Sequence, residues 1–165
     1  MPAKCKPKAA LKDVTKKSGA YMSAHELEEL QAKHYREALR FMDNAKDCLK
    51  KAQKDGKYYR DTKYVKMACG TAYSGVLVGL DGYLAIKGIQ PNKKVRKTIE
   101  YYQYNIGKLD RKMLDHLVSA YQILHLYGYY DGVQNVNVVN EGFNEAKSII
   151  EKIKPTNGAA YCVPD

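Results

Sequence analysis

The sequence predicts an all-α fold: an up-and-down antiparallel helical bundle of four long helices plus a shorter or bent one. Three observations carry this. From Asp61 to Gly88, Val65, Cys69, Ala72, Val76, Leu80 and Tyr83 recur every three or four residues, the period of a helix. A second apolar stripe of similar length precedes it, and no run of alternating β-branched residues occurs anywhere. The connections between stripes are short, which favours antiparallel neighbours.

The first helix is expected to start near Ala24. Ser23 followed by Glu26 spells a capping box, in which each residue satisfies the other's free backbone amide. Its stripe runs through Leu27, Leu30, Ala38, Phe41, Ala45, Cys48 and Ala52, with His34 or Tyr35 filling the gap. Lys54-Asp55-Gly56 reads as its stop, with Gly56 free to turn left-handed. The segment KYYRDT leads into the Asp61–Gly88 helix, the organising element, capped by Asp61 or Thr62. Gly70, Gly75, Gly79 and Gly82 each cost it roughly 0.8–1 kcal/mol of helix propensity. Such glycines are tolerable where a neighbouring backbone comes close.

Asn92 is a plausible cap for a third helix bearing Val95, Ile99, Tyr102 and Ile106, with a break or bend at Gly107. Leu109, Met113, Leu117, Ala120, Leu124 and Tyr127 form the next stripe, ending before Gly128. Asp131-Gly132 is the breaker that follows. The last helix begins between Asn135 and Asn140, carries Val139, Phe143, Ala146, Ile150 and Ile153, and is closed by Pro155. The expected division is a basic flexible arm over 1–22, a helical bundle over 23–154 and a tail over 155–165.

Charge and composition narrow the function classes. The net charge is +10, and Lys4, Lys6, Lys8, Lys12, Lys16 and Lys17 against Asp13 place half of that excess in the arm. Cysteines 5, 48, 69 and 162 have no metal-ligand spacing and read as free thiols of a reducing cytoplasm. No apolar run is long enough to cross a bilayer, so no membrane partner is expected. Neither a phosphate-binding loop nor a dinucleotide fingerprint occurs, and the histidines and carboxylates follow no metal motif, so no cofactor or metal is implied.

Two constellations remain. Arg111 and His116 lie five positions apart, a spacing that need not share a helical face, while Arg111 and Asp115 are an i,i+4 pair. Lys93, Lys94, Arg96 and Lys97 precede Tyr101, Tyr102 and Tyr104, a possible interaction surface. The 15 tyrosines, with no tryptophan, suit either base stacking or an aromatic dimer edge, and packing or self-association is the favoured reading. His125 and Tyr129 stand at i,i+4, compatible with stacking.

The helix order, with HYREALRFMDNAKDCLKKA, TKYVKMACGTAYSGVLVGLDGYLAIKG and LHLYGYYDGVQNVNVVNEGFNEAKSIIEKI, resembles the HEPN superfamily of small bundles across residues 24–154. It also resembles an uncharacterised, Bacteroidetes-type family of helical proteins. The HEPN resemblance implies either a metal-independent endoribonuclease, with Arg111 and His116 meeting across a dimer cleft, or a noncatalytic module. Lys112 stands where such ribonucleases carry a polar residue after the arginine. A noncatalytic binding or dimerisation module, as a homodimer or with a small protein partner, is therefore the expected function. The ribonuclease is its alternative, and nucleic-acid contact is not favoured.

Overall fold

Ser23 begins the first long element as its cap. Its hydroxyl accepts the Glu26 amide and Glu26 returns to the Ser23 amide, and helix α1 runs Ala24–Lys51. The computed structural model describes residues 22–90 and 96–156, together with the backbone of 16–17 and 20–21. Most of the predicted arm and tail, Cys5, Cys162, and the loop residues Asn92, Lys93, Lys94 and Val95 lie outside the described residues. In chain order the elements are β1 (Lys16–Lys17), β2 (Ala20–Tyr21), α1, β3 (Lys54–Asp55), β4 (Tyr58–Tyr59), α2 (Thr62–Ile86), α3 (Ile99–Leu109), α4 (Arg111–Ala120), a π-helical segment (Tyr121–Asp131) and α5 (Val136–Glu151). The fold is all-α, a bundle of long helices with α3 and α4 as a joined, bent pair.

Helix α1 stops two residues earlier than the Lys54-Asp55-Gly56 signal, at Ala52, because Gln53 adopts φ +50°. Residues 54–59 then fold as a small hairpin, with Gly56 left-handed at φ +58°. Its second strand is latched to the start of α5: the Tyr59 amide donates to the Gln134 carbonyl at 2.8 Å, and the Val136 amide to Lys57 at 3.0 Å.

Helix α2 is the axis of the molecule. Asp61 caps it, and Gly88 follows its end at φ +74°. A Cβ placed on Gly75 would lie 3.1 Å from the Cβ of Phe41, and one on Gly82 only 2.6 Å from the Cβ of His34. As α2 ascends from 75 to 82, its α1 neighbours descend from 41 to 34, so the two helices are antiparallel. Gly79 faces Ile149 and Ile150 of α5 instead. The predicted stripe is buried at Val65, Cys69, Ala72, Val76 and Leu80, and Ala68, Tyr73 and Leu84 join it.

Three expectations are corrected downstream. Residues 96–98 are not helical, so α3 begins at Ile99 rather than near Asn92. The break falls at Asp110, not Gly107. Asp110 is extended, at φ −151°, and its carboxylate accepts the Met113 amide at 2.9 Å, so it closes one helix as its C-cap and opens the next as its N-cap. Leu109 and Tyr127, both assigned to the inward stripe, are 39% and 49% exposed. The Asp110 corner turns the first of them outward, and the π-helical register carries the second past the core.

Lys152, at the end of α5, closes on the other oxygen of Asp110 at 2.7 Å. This bond and the Met113 amide hold the Asp110 carboxyl below its ordinary range. A depressed carboxyl stabilises the fold above its unfolded value, near pH 4, and that contribution is lost as pH falls through the folded value. Asp110→Ala is therefore expected to cost about 1–2 kcal/mol at neutral pH. Urea titrations at pH 7 and pH 2 should show the difference from the parent protein shrinking in acid.

Candidate functional site

An eleven-residue π-helical run from Tyr121 to Asp131 continues α4 without a break. Its i→i+5 bonding widens each turn, and such segments frequently occur at functional sites. Leu124 and Gly128 face inward. The aromatic residues at 121, 125 and 129 fall into one column. Tyr121 and His125 stack at 5.3 Å and 27°, and His125 and Tyr129 at 6.0 Å and 16°. These separations lie in the favourable range for ring pairs. Tyr73 of α2 leans on His125 at 4.8 Å, and Tyr130 meets the imidazole edge-on at 5.1 Å. Burial lowers the His125 pKa, so the ring at the centre of the column is neutral at pH 7.

The column is tied to α2 at two levels. Gly128 allows contact with Cys69, whose thiol burial pushes up to about 12, leaving it protonated and inert. Gly132, at φ +73°, ends the segment where a Cβ would fall 2.4 Å from Thr62. The Lys66 ammonium donates to the Tyr130 carbonyl at 2.8 Å.

Between this column and α1 lies an open cleft of about 440 Å³. Phe41 forms one wall, His125 and Tyr129 the other, and Met67, Gly70, Thr71, Ser74 and Leu77 of α2 the floor. The hydroxyls of Thr71 and Ser74 donate to the carbonyls of Met67 and Gly70 in their own helix, at 2.7 and 3.0 Å. Among the described residues, Lys66 is the one charged side chain lining the cleft. The cleft therefore offers apolar and aromatic area, and its Thr71 and Ser74 hydroxyls are already bonded within α2.

The sequence-predicted candidates lie elsewhere. Arg111 opens α4, 81% exposed, with its guanidinium 3.7 Å from Asp115. His116 is three-quarters covered, and its Nδ1 sits 2.6 Å from Glu145 of α5. The two residues thus engage different carboxylates. Lys97 and Tyr102 converge on Asp81 of α2, at 2.7 and 2.8 Å. Burial, reinforced by the Asp81 carboxylate, pushes the Tyr102 phenol well above its ordinary value. Tyr101 packs edge-on against Tyr102 at 5.4 Å, whereas Tyr104 is exposed under the Lys108 ammonium and Arg96 is exposed. Among the described residues, no group of three or more His, Cys, Asp or Glu is placed to hold a metal ion. No described helix is long and apolar enough to cross a membrane.

The His125–Tyr129 contact was visible as an i,i+4 pair, and Tyr121 extends that spacing by one more step. Tyr73 joins only through the tertiary fold, which is why the full cluster escaped the sequence reading.

Every residue of the cleft falls inside the segment 33–155 that matches the family model described as "Domain of unknown function (DUF5618)". The chain belongs to this family. A solved structure described as a protein of unknown function from Dyadobacter fermentans is 41% identical to this DUF5618 chain, with a TM-score of 0.66. The match covers 74% of this chain and 94% of that one. No curated protein matches. The DUF5618 chain is thus related to a bacterial helical protein, and the π-helical column and cleft lie within its family segment.

Proposed function

We propose that this chain is a noncatalytic, HEPN-like helical module that binds protein, as a homodimer or with a small protein partner, through the face built by α2 and the π-helical segment. One observation carries the reading: an exposed aromatic cleft whose only charged lining residue among those described, Lys66, is already bonded to a backbone carbonyl. Depletion of charge with enrichment of Tyr and Met is the composition of an interface centre. Exposed Met67, Tyr129 and Tyr130 supply the area. The free thiols Cys48 and Cys69 suit a cytoplasmic setting.

The ribonuclease alternative needs Arg111 and His116 to act on one phosphate. The pairing of Arg111 with Asp115 and of His116 with Glu145 supports the noncatalytic reading instead. The test is incubation of the purified chain, with chelator present, with labelled single-stranded RNA beside its Arg111→Ala and His116→Ala variants. All three proteins are expected to leave the RNA intact. Cleavage by the parent protein that either substitution abolishes would overturn the proposal.

A further inference from the structure

Two polar side chains of the cleft lack a hydrogen-bond partner among the described residues. Tyr73 is only 7% exposed, yet no described residue bonds its hydroxyl, and none bonds a ring nitrogen of His125. Covering such groups without bonding them costs free energy, so an occupant of the cleft must bring polar atoms of its own. Burial keeps the His125 imidazole neutral, and a neutral imidazole presents one N–H donor and one acceptor nitrogen. Around these groups the surface is largely apolar, with Phe41 opposite and Leu77 and Met67 along the floor. Gly70 leaves room for the Tyr129 ring, which lies where a side chain at 70 would stand. The occupant therefore needs a flat apolar group carrying both a donor and an acceptor. A phenol is such a group.

The cleft also has a charged end. Among the described residues Lys66 is the one charged side chain lining it, and its bond to the Tyr130 carbonyl uses one of the three donors of an ammonium. Lys66 and Tyr73 are about 10 Å apart along α2 at 1.5 Å per residue. Extended chain covers that distance in about three residues. We infer that the cleft takes a tyrosine side chain of a protein partner between Phe41 and His125, with an aspartate or glutamate three residues away on Lys66. The inference rests on the protein-binding reading above and names the chemistry of the partner. The +10 charge of the chain draws an acidic segment toward it, and a single cation at one end of the cleft sets the register. A free small molecule suits the site less well. Such ligands are enclosed over most of their surface, whereas Met67 and Tyr129, 46% and 48% exposed, leave this cleft open to water. A side chain arrives with its own backbone, which covers the open side, and tyrosine is a common anchor of protein interfaces.

The test is titration of the isotope-labelled full chain with acetylated and amidated tetrapeptides, followed by NMR. Tyr-Gly-Gly-Glu and Glu-Gly-Gly-Tyr present the two groups in the two chain directions, and at least one of them should shift the signals of Thr71, Ser74 and His125. Replacing the tyrosine of that peptide by phenylalanine should weaken binding about threefold, the worth of one hydrogen bond. Replacing its glutamate by lysine should weaken it about fivefold. Lys66→Met should erase the preference for glutamate and keep that for tyrosine. His125→Phe, which keeps a ring in the stack, should do the reverse. Melting followed by circular dichroism establishes that each variant folds, and the peptide series on the parent protein decides without them. Absence of shifts at the cleft, equal binding of all the peptides, or preferences that survive both substitutions would each overturn the inference. A dimer seen by light scattering with no peptide bound at the cleft would overturn it while leaving the protein-binding reading in place. None of these outcomes bears on the RNA assay, so the two proposals can fail separately.

Discussion

Gly128→Ala is expected to destabilise the protein by about 2–3 kcal/mol, although alanine in place of glycine normally favours a helix by about 0.8–1 kcal/mol. The sign reverses because of what faces the backbone. A Cβ at 128 would lie 2.5 Å from both the Cβ and the Sγ of Cys69, and 3.1 Å from the Ile123 carbonyl oxygen. Cys69 is fully buried on the central helix, so it cannot swing aside, and the π-helical segment would have to lift from α2. At roughly 2–4 °C per kcal/mol for a chain of this size, the midpoint of thermal unfolding should fall by about 4–12 °C. Gly107→Ala is the control. There the new methyl meets only the far end of the Leu114 side chain, at 3.2 Å, on an exposed position. That variant should be neutral or more stable by up to about 0.8 kcal/mol. Equal gains at both positions, measured by urea unfolding, would mean that the segment does not rest on Cys69.

What the sequence disclosed and what it hid divide along the range of the interaction. The Ser23–Glu26 capping box, the cap at Asp61 or Thr62, left-handed Gly56, the stops at Gly88 and Asp131-Gly132 and a last helix opening between Asn135 and Asn140 are settled by residues a few positions apart. They were legible. The buried stripe of α2 was legible too, because its period repeats for about five turns. The glycines of α2 signalled close approach, but nothing local says that Gly75 and Gly82 meet α1 while Gly79 meets α5. The π-helical register was hidden for a different reason. A 3.6-residue template fits Leu124 and then places Tyr127 inward, whereas the wider turn makes Gly128 the next buried position. The Arg111–His116 spacing was equally local. The partners that decide their surroundings are Asp115, one turn away, and Glu145, on another helix, and only the second needed the fold.

Leu80→Ala is expected to cost about 3 kcal/mol of stability, within the 2–5 kcal/mol range of buried leucine truncations. Leu80 is fully buried on the inner face of α2, and the cavity left behind would be walled by helices that cannot collapse into it without moving the axis of the bundle. Leu77, three residues earlier, is the informative comparison. It belongs to the same helix and has the same side chain, but it forms the end of the cleft floor and is only partly buried. Leu77→Ala should cost the isolated chain less, about 1–2 kcal/mol, because part of its surface stays in water. Its larger effect should fall on association, because it lines the cleft of the proposed protein-binding face. Urea unfolding at low concentration and light scattering at high concentration separate the two quantities. A helix serving only the core would show similar stability losses at 77 and 80 and no effect on association. A helix that packs the core with one side and a protein partner with the other must show the split: stability at Leu80, association at Leu77.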